Sequence, residues 1–144
     1  MRKAIPGDVK SNEAVLDGEI VVLDSEGKSL FNDLMHTRST PTFAAFDILW
    51  LNGEDLRELP LLERKTRLRK FIKSRPRRIL YVDHIAQNGS AMFIEVCKRD
   101  MEGIVAKPKF SAYKSVRGQS PWIKIKNPNY SQKEGRSELF NSRR

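Results

Sequence analysis

The chain has 144 residues and a formal charge of +9, from 27 Lys and Arg against 18 Asp and Glu. That length makes one ordinary domain with a real core, and 39% apolar with 31% charged residues fits a globular chain better than a disordered one. No run approaches the ~18 apolar residues of a membrane span, no apolar signal region follows Met1-Arg2-Lys3-Ala4, and a lone Cys97 excludes an internal disulfide and a cysteine-built zinc cage.

In chain order, residues 14–23 (AVLDGEIVVL) are rich in β-branched types and predict a strand, closed by the turn-forming Asp24-Ser25-Glu26-Gly27. Residues 30–36 predict a short helix. Residues 42–51 (TFAAFDILWL) predict a second apolar strand that ends at Asn52-Gly53, a tight-turn signal. From 61 to 72 the spacing of Leu61, Leu62, Lys65, Leu68, Phe71 and Ile72 predicts an amphipathic helix, with Pro60 in its first turn. Arg64, Arg67, Arg69 and Lys70 fall on its other face. Residues 79–85 predict a strand, and Ser90 is placed to cap a helix over 91–99. A strand at 103–106 (GIVA), a loop at 108–120 and a period-two strand at 121–126 (PWIKIK) follow, and the tail from Asn127 is polar. Interspersed strands and helices with a tight turn predict an α+β domain built on antiparallel sheet.

Charge is unevenly spread. Residues 1–97 carry 15 basic and 14 acidic side chains, whereas residues 98–144 carry 12 and 4, a net +8. Such a segment attracts phosphate, in nucleic acid or in a nucleotide, or else serves as a solubilising surface.

Alternation in Trp122-Ile123-Lys124-Ile125-Lys126 puts Lys124 and Lys126 on one strand face. Two ammonium groups side by side repel unless an anion lies between them, although lysines are also common on exposed edge strands. Glu102 stands at the mouth of the 103–106 strand, where a carboxylate can hold a hard divalent ion or simply face solvent, and Lys107 falls on the opposite face. Asp17 and Glu19 interrupt a β-branched strand, so exposure or a ligand should compensate them. Phe46 can stack on a nucleobase or fill the core. Arg38, Asp47, His36 and His84 make weaker candidates, no residues show zinc-ligand spacing, and there is no P-loop and no nucleophile elbow.

Taken in order, LDGEIV at 16–21, FAAFDIL at 43–49, EGIVAK at 102–107 and WIKIK at 122–126 resemble the nucleotidyltransferase motif series of ATP-dependent DNA ligases. The match is closest to the bacterial and archaeal end-joining type. FNDL at 31–34, LNGEDLRELPLLERK at 51–65, LYVDHI at 80–85 and KNPNYSQ at 126–132 add to it, so the resemblance covers nearly the whole chain.

The resemblance implies an adenylation domain with ATP and Mg²⁺ (or Mn²⁺) as cofactors, and nicked or broken duplex DNA as partner. Carried over by motif, it implies that Glu19 lies near the ribose, that Phe46 stacks on adenine and that Ile104 and Lys107 also contact the nucleotide. Glu102 would serve the metal, and Lys124 and Lys126 would grip the α-phosphate. The family's nucleophile lies in a Lys-x-Asp-Gly motif that is not found in these 144 residues; neither Lys3-Ala4-Ile5-Pro6 nor Lys10-Ser11-Asn12-Glu13 matches it. The expectation is a partial adenylation domain over 1–130, a polar tail over 131–144, no OB-fold domain and no self-adenylation. A missing N-terminal segment or self-association would complete the fold, in a cytoplasmic, nucleoid-associated setting away from membranes. The alternatives are a non-catalytic nucleotide- or DNA-binding remnant, and an RNA ligase or capping-type nucleotidyltransferase.

Overall fold

A computed structural model describes residues 5–10, 13–25, 27, 29, 40–114 and 121–131. Its elements are α1 (Ile5–Asp8), β1 (Ala14–Val21), β2 (Thr42–Leu51), β3 (Glu54–Asp55), α2 (Leu61–Phe71), β4 (Ile79–Tyr81), α3 (Gly89–Lys98), β5 (Gly103–Ala106) and β6 (Ile123–Lys126). They fall into two units, residues 1–84 with 107–121, and residues 85–106 with 122–144. The expected 30–36 helix lies outside the described residues, as do Lys3, His36 and Arg38.

In the first unit β2 is the central strand. β1 runs antiparallel along one edge, from Ala14 opposite Leu51 to Val21 opposite Thr42. The other edge carries β3, reached through the Asn52-Gly53 turn, whose two positive φ angles (50° and 87°) give the twist a two-residue hairpin needs. It also carries β4, which pairs in parallel from Phe43 opposite Ile79, on a sheet whose β1–β2 and β2–β3 ladders are antiparallel as expected. The core joins Ala45 and Ile48 of β2 to Leu68 and Phe71 of α2, with Val9, Leu56, Ile72 and Ile79. Gly18 is required on β1, because a Cβ there would lie 2.5 Å from the Ala44 carbonyl oxygen and 2.6 Å from the Phe43 ring.

The second unit is the antiparallel pair β5–β6 together with α3. Asn127 closes it: buried, it donates from its side chain to the Met101 carbonyl at 3.0 Å and from its backbone to the Glu102 carbonyl at 2.8 Å.

Several expectations change. The 79–85 strand stops at Tyr81, and at the following residues the Asp83 carboxylate accepts from the His84 N–H, which competes with a ladder. The helix expected from a Ser90 cap begins at Gly89; Asn88 takes the capping position in a left-handed conformation (φ 58°) with no side-chain cap bond. Pro60 is itself the residue before the first turn of α2. Arg64, expected on the solvent face, is completely buried because a carboxylate of β2 receives it. On β6 the apolar face is not hidden, and Ile123 and Ile125 are exposed along with Lys124 and Lys126. Among the described residues no helix is long and apolar enough to cross a membrane.

Candidate functional site

In the first unit the FAAFDIL segment is shaped by a bulge. Asp17 pairs with Asp47 and Gly18 with Ala45, so Phe46 is the residue inserted into β2. A bulge bends its strand and re-aims the inserted side chain, which is why such features gather beside binding sites. Phe46 is half-buried, and the Lys107 Nζ lies 4.0 Å from its ring centroid, a cation–π contact. Burial lowers the Lys107 ammonium pKa to about 8; Asp47 and Asp17 pull it back up, while Lys65 and Arg64 push it further down. Glu19, opposite Ala44 on β1, is exposed.

Behind Phe46 lies a polar network that pattern reading missed. Asp47 takes the Arg64 Nε and Nη2 at 2.8 and 2.9 Å, with both side chains fully buried. Arg64 Nη1 donates to the Leu59 and Ser111 carbonyls, and the Tyr113 ring lies 5.8 Å from its guanidinium. The Tyr113 hydroxyl donates to the Asp17 carboxylate at 2.9 Å, and burial, first, with that carboxylate pushes the phenol up to about 12. Asp17 is thereby compensated. The sequence signal was there in an acid inside an apolar strand, Asp47, which demands a partner.

In the second unit Glu102 precedes β5, and its Oε1 accepts from the Lys124 Nζ of β6 at 2.8 Å. Lys126 stands opposite Gly103, and the half-buried Ile104 opposite Ile125. Gly103 has φ 150°, and a Cβ there would lie 2.2 Å from the Ile125 carbonyl oxygen, so the close approach of the two strands depends on glycine. The expected residues thus meet in two sets, Phe46 with Lys107 in the first unit and Glu102 with Lys124 in the second. His84 sits beside Asp83, and Lys10 is exposed with its backbone N–H on the Phe71 carbonyl.

Among the described residues no three His, Cys, Asp or Glu side chains converge as a metal cage. Glu102 is a single carboxylate beside a cation. That fits Mg²⁺, which is commonly held by one or two carboxylates together with substrate phosphates and water.

The mixed first sheet, the antiparallel β5–β6 pair and the four motif segments on them define a nucleotidyltransferase fold. Residues 1–126 match the family model described as the ATP dependent DNA ligase domain, and the chain belongs to that family. It is 36% identical over 126 residues to the multifunctional non-homologous end joining protein LigD of Mycolicibacterium smegmatis, which covers 86% of this chain and 16% of that protein. It is 33% identical over 132 residues to LigD of Pseudomonas aeruginosa, covering 88% of this chain and 16% of that protein. The crystal structure of the ligase domain of M. tuberculosis LigD superposes with a TM-score of 0.65 at 30% identity, covering 78% of this chain and 37% of that one. A mycobacterial DNA ligase D complexed with ATP and MES gives 0.63 at 31% identity, covering 78% and 38%. The chain therefore spans about a sixth of those two LigD proteins and about two-fifths of the ligase structures.

Proposed function

We propose that this chain is the nucleotide-holding part of an ATP-dependent DNA ligase adenylation domain, acting on nicked or broken duplex DNA. Phe46 stacks on adenine, Glu19 binds the ribose, and Ile104 and Lys107 add contacts to the nucleotide. Lys124 and Lys126 bind the α-phosphate, where fixed cations stabilise charge that grows in phosphoryl transfer. Glu102 would hold Mg²⁺, which when bound neutralises phosphate charge, and the carboxylate would then exchange Lys124 for the ion. The observation that carries this reading is the Glu102–Lys124 contact at 2.8 Å, an acid and a base from two separate motifs meeting across one β-ladder. Support also comes from a relative in the same family whose structure is described as complexed with ATP.

No Lys-x-Asp-Gly is found in the 144 residues, so this chain binds nucleotide without forming the covalent enzyme–AMP. Incubation with radiolabelled ATP and Mg²⁺ followed by denaturing electrophoresis tests it. The expected result is nucleotide binding at equilibrium with no labelled band. A covalent AMP band that disappears on Lys10→Ala or Lys3→Ala overturns it.

A further inference from the structure

Nine of the fifteen residues from 64 to 78 are Lys or Arg, and none is acidic. Arg78 is half-buried, and the structure divides the other eight by what their side chains do. Arg64 is buried on Asp47, the Lys65 Nζ donates to the Val82 carbonyl at 2.8 Å, Arg67 holds Glu54 and Glu63, and the Lys73 Nζ donates to the Gly7 carbonyl. Lys70, Arg75 and Arg77 are exposed and form no ion pair among the described residues. Arg69 reaches Asp83 at 3.3 Å, an open pair that water and salt screen.

The backbone that carries them is pinned. One Asp8 carboxylate oxygen accepts from the Arg77 and Arg78 N–H groups at 2.8 and 2.6 Å, the Lys73 N–H donates to the Asp8 carbonyl, and the Arg78 carbonyl accepts from Phe43. Beside the strip lies a groove of about 550 Å³ lined by Lys65, Arg69, Lys70, Tyr81 and His84. The Tyr81 ring there makes cation–π contacts with the Lys65 Nζ at 4.8 Å and the Arg69 guanidinium at 5.4 Å. A surface made only for solubility intersperses its signs, since a single-sign field repels itself. Exposed cations among which Arg69–Asp83 is the one ion pair in the described residues, with the nearby Asp8 carboxylate taken up by the Arg77 and Arg78 N–H groups, instead suit a row of phosphates.

We propose that Arg69, Lys70, Arg75 and Arg77, with the groove beside them, form a contact for the phosphate backbone of duplex DNA, apart from the residues assigned to the nucleotide. This rests on the ligase reading above. Contacts of this kind position the duplex without reading its sequence.

The test is fluorescence anisotropy of a labelled nicked duplex with the full chain between 50 and 200 mM salt. The wild type is compared with Lys70→Glu/Arg75→Glu/Arg77→Glu and with a charge-matched variant elsewhere, Arg57→Glu/Lys98→Glu/Arg99→Glu. We expect the strip variant to bind at least about tenfold more weakly, with a log K against log salt slope shallower by about 2–3. The charge-matched variant should stay within about threefold of wild type, and ATP affinity should be the same in all three. Equal loss in both variants, or none in either, overturns the strip while leaving the ligase reading intact. A wild type that binds ATP but no duplex overturns the strip as well; one that binds neither removes the ligase reading itself. If the Glu variant does not fold, the Gln triple at the same positions is read in its place. Binding to anionic vesicles or to an RNA duplex in preference to DNA also overturns the proposal.

Discussion

Arg64 and Asp47 form a two-bond fork, Nε to Oδ1 at 2.8 Å and Nη2 to Oδ2 at 2.9 Å, with no exposure of either side chain. Every remaining polar atom of the pair has work. Asp47 also accepts from the Ile48 N–H, and the guanidinium also reaches the Leu59 and Ser111 carbonyls. Among the described residues no buried side-chain nitrogen or oxygen lacks a hydrogen bond. Through Tyr113 and Asp17 the network ties β1, β2, α2 and the 107–114 segment together, directly behind the Phe46 bulge. A planar fork is needed for this geometry, which lysine cannot supply.

Removing one partner should therefore cost more than removing both. Asp47→Ala leaves a guanidinium buried without its counter-charge, and a loss of about 3–5 kcal/mol is expected. Asp47→Leu with Arg64→Met replaces the pair by packed apolar groups and should recover a large part of that loss. Urea denaturation followed by circular dichroism measures both. An Asp47→Ala loss below about 1 kcal/mol would show that the pair is not structural.

This pair also marks where sequence reading stops. The Asn52-Gly53 turn, the strand at 42–51 and the apolar spacing of 61–72 are local signals, and each appears in the fold. Arg64 went to the solvent face because charge on a helix usually faces water; its partner stands 17 residues earlier, and periodicity says nothing of that pairing. The parallel pairing of β4 on β2 is likewise set by tertiary packing. At the candidate site the residue types Phe46, Glu102, Lys107 and Lys124 were legible from motifs. Their meetings were not, because Glu102 reaches Lys124 only through a ladder register in which Gly103 faces Lys126.

Gly103→Ala tests that register. The added methyl would lie 2.2 Å from the Ile125 carbonyl oxygen and 2.9 Å from the Lys126 Cα, on a backbone with φ 150°. No flexible side-chain end is there to yield, so β5 and β6 must part. We expect about 2–3 kcal/mol of destabilisation from strain and crowding. Amide hydrogen exchange should show protection lost in the β5–β6 ladder and retained in β1–β2. Uniform loss across both sheets would argue that the two units unfold as one.

Glu102→Gln separates stability from binding. The Glu102–Lys124 pair is a third to a half exposed, and pairs of that kind contribute about 0–1 kcal/mol. The urea midpoint should therefore change little. ATP affinity measured with Mg²⁺ should fall, whereas affinity measured in excess chelator should not. A variant that binds Mg·ATP as wild type does would remove Glu102 from the metal role.

Lys107 gives the pH dependence. Burial holds its ammonium at a pKa of about 8, against 10.5 for an unperturbed lysine. Between those values the unfolded chain keeps a proton that the folded chain releases, so the contribution of this group to stability rises with pH through that window. The destabilisation from its partly buried charge is complete below about pH 8. Lys107→Met keeps the aliphatic stem and removes the titration, at the loss of the cation–π contact with Phe46. The stability of wild type relative to this variant should therefore improve from pH 7 to pH 10. Because the side chain is only partly buried, screening reduces the change to about 1 kcal/mol. Urea midpoints of the two proteins across that range measure it, and a pH-independent difference would mean that Lys107 titrates as an ordinary surface lysine.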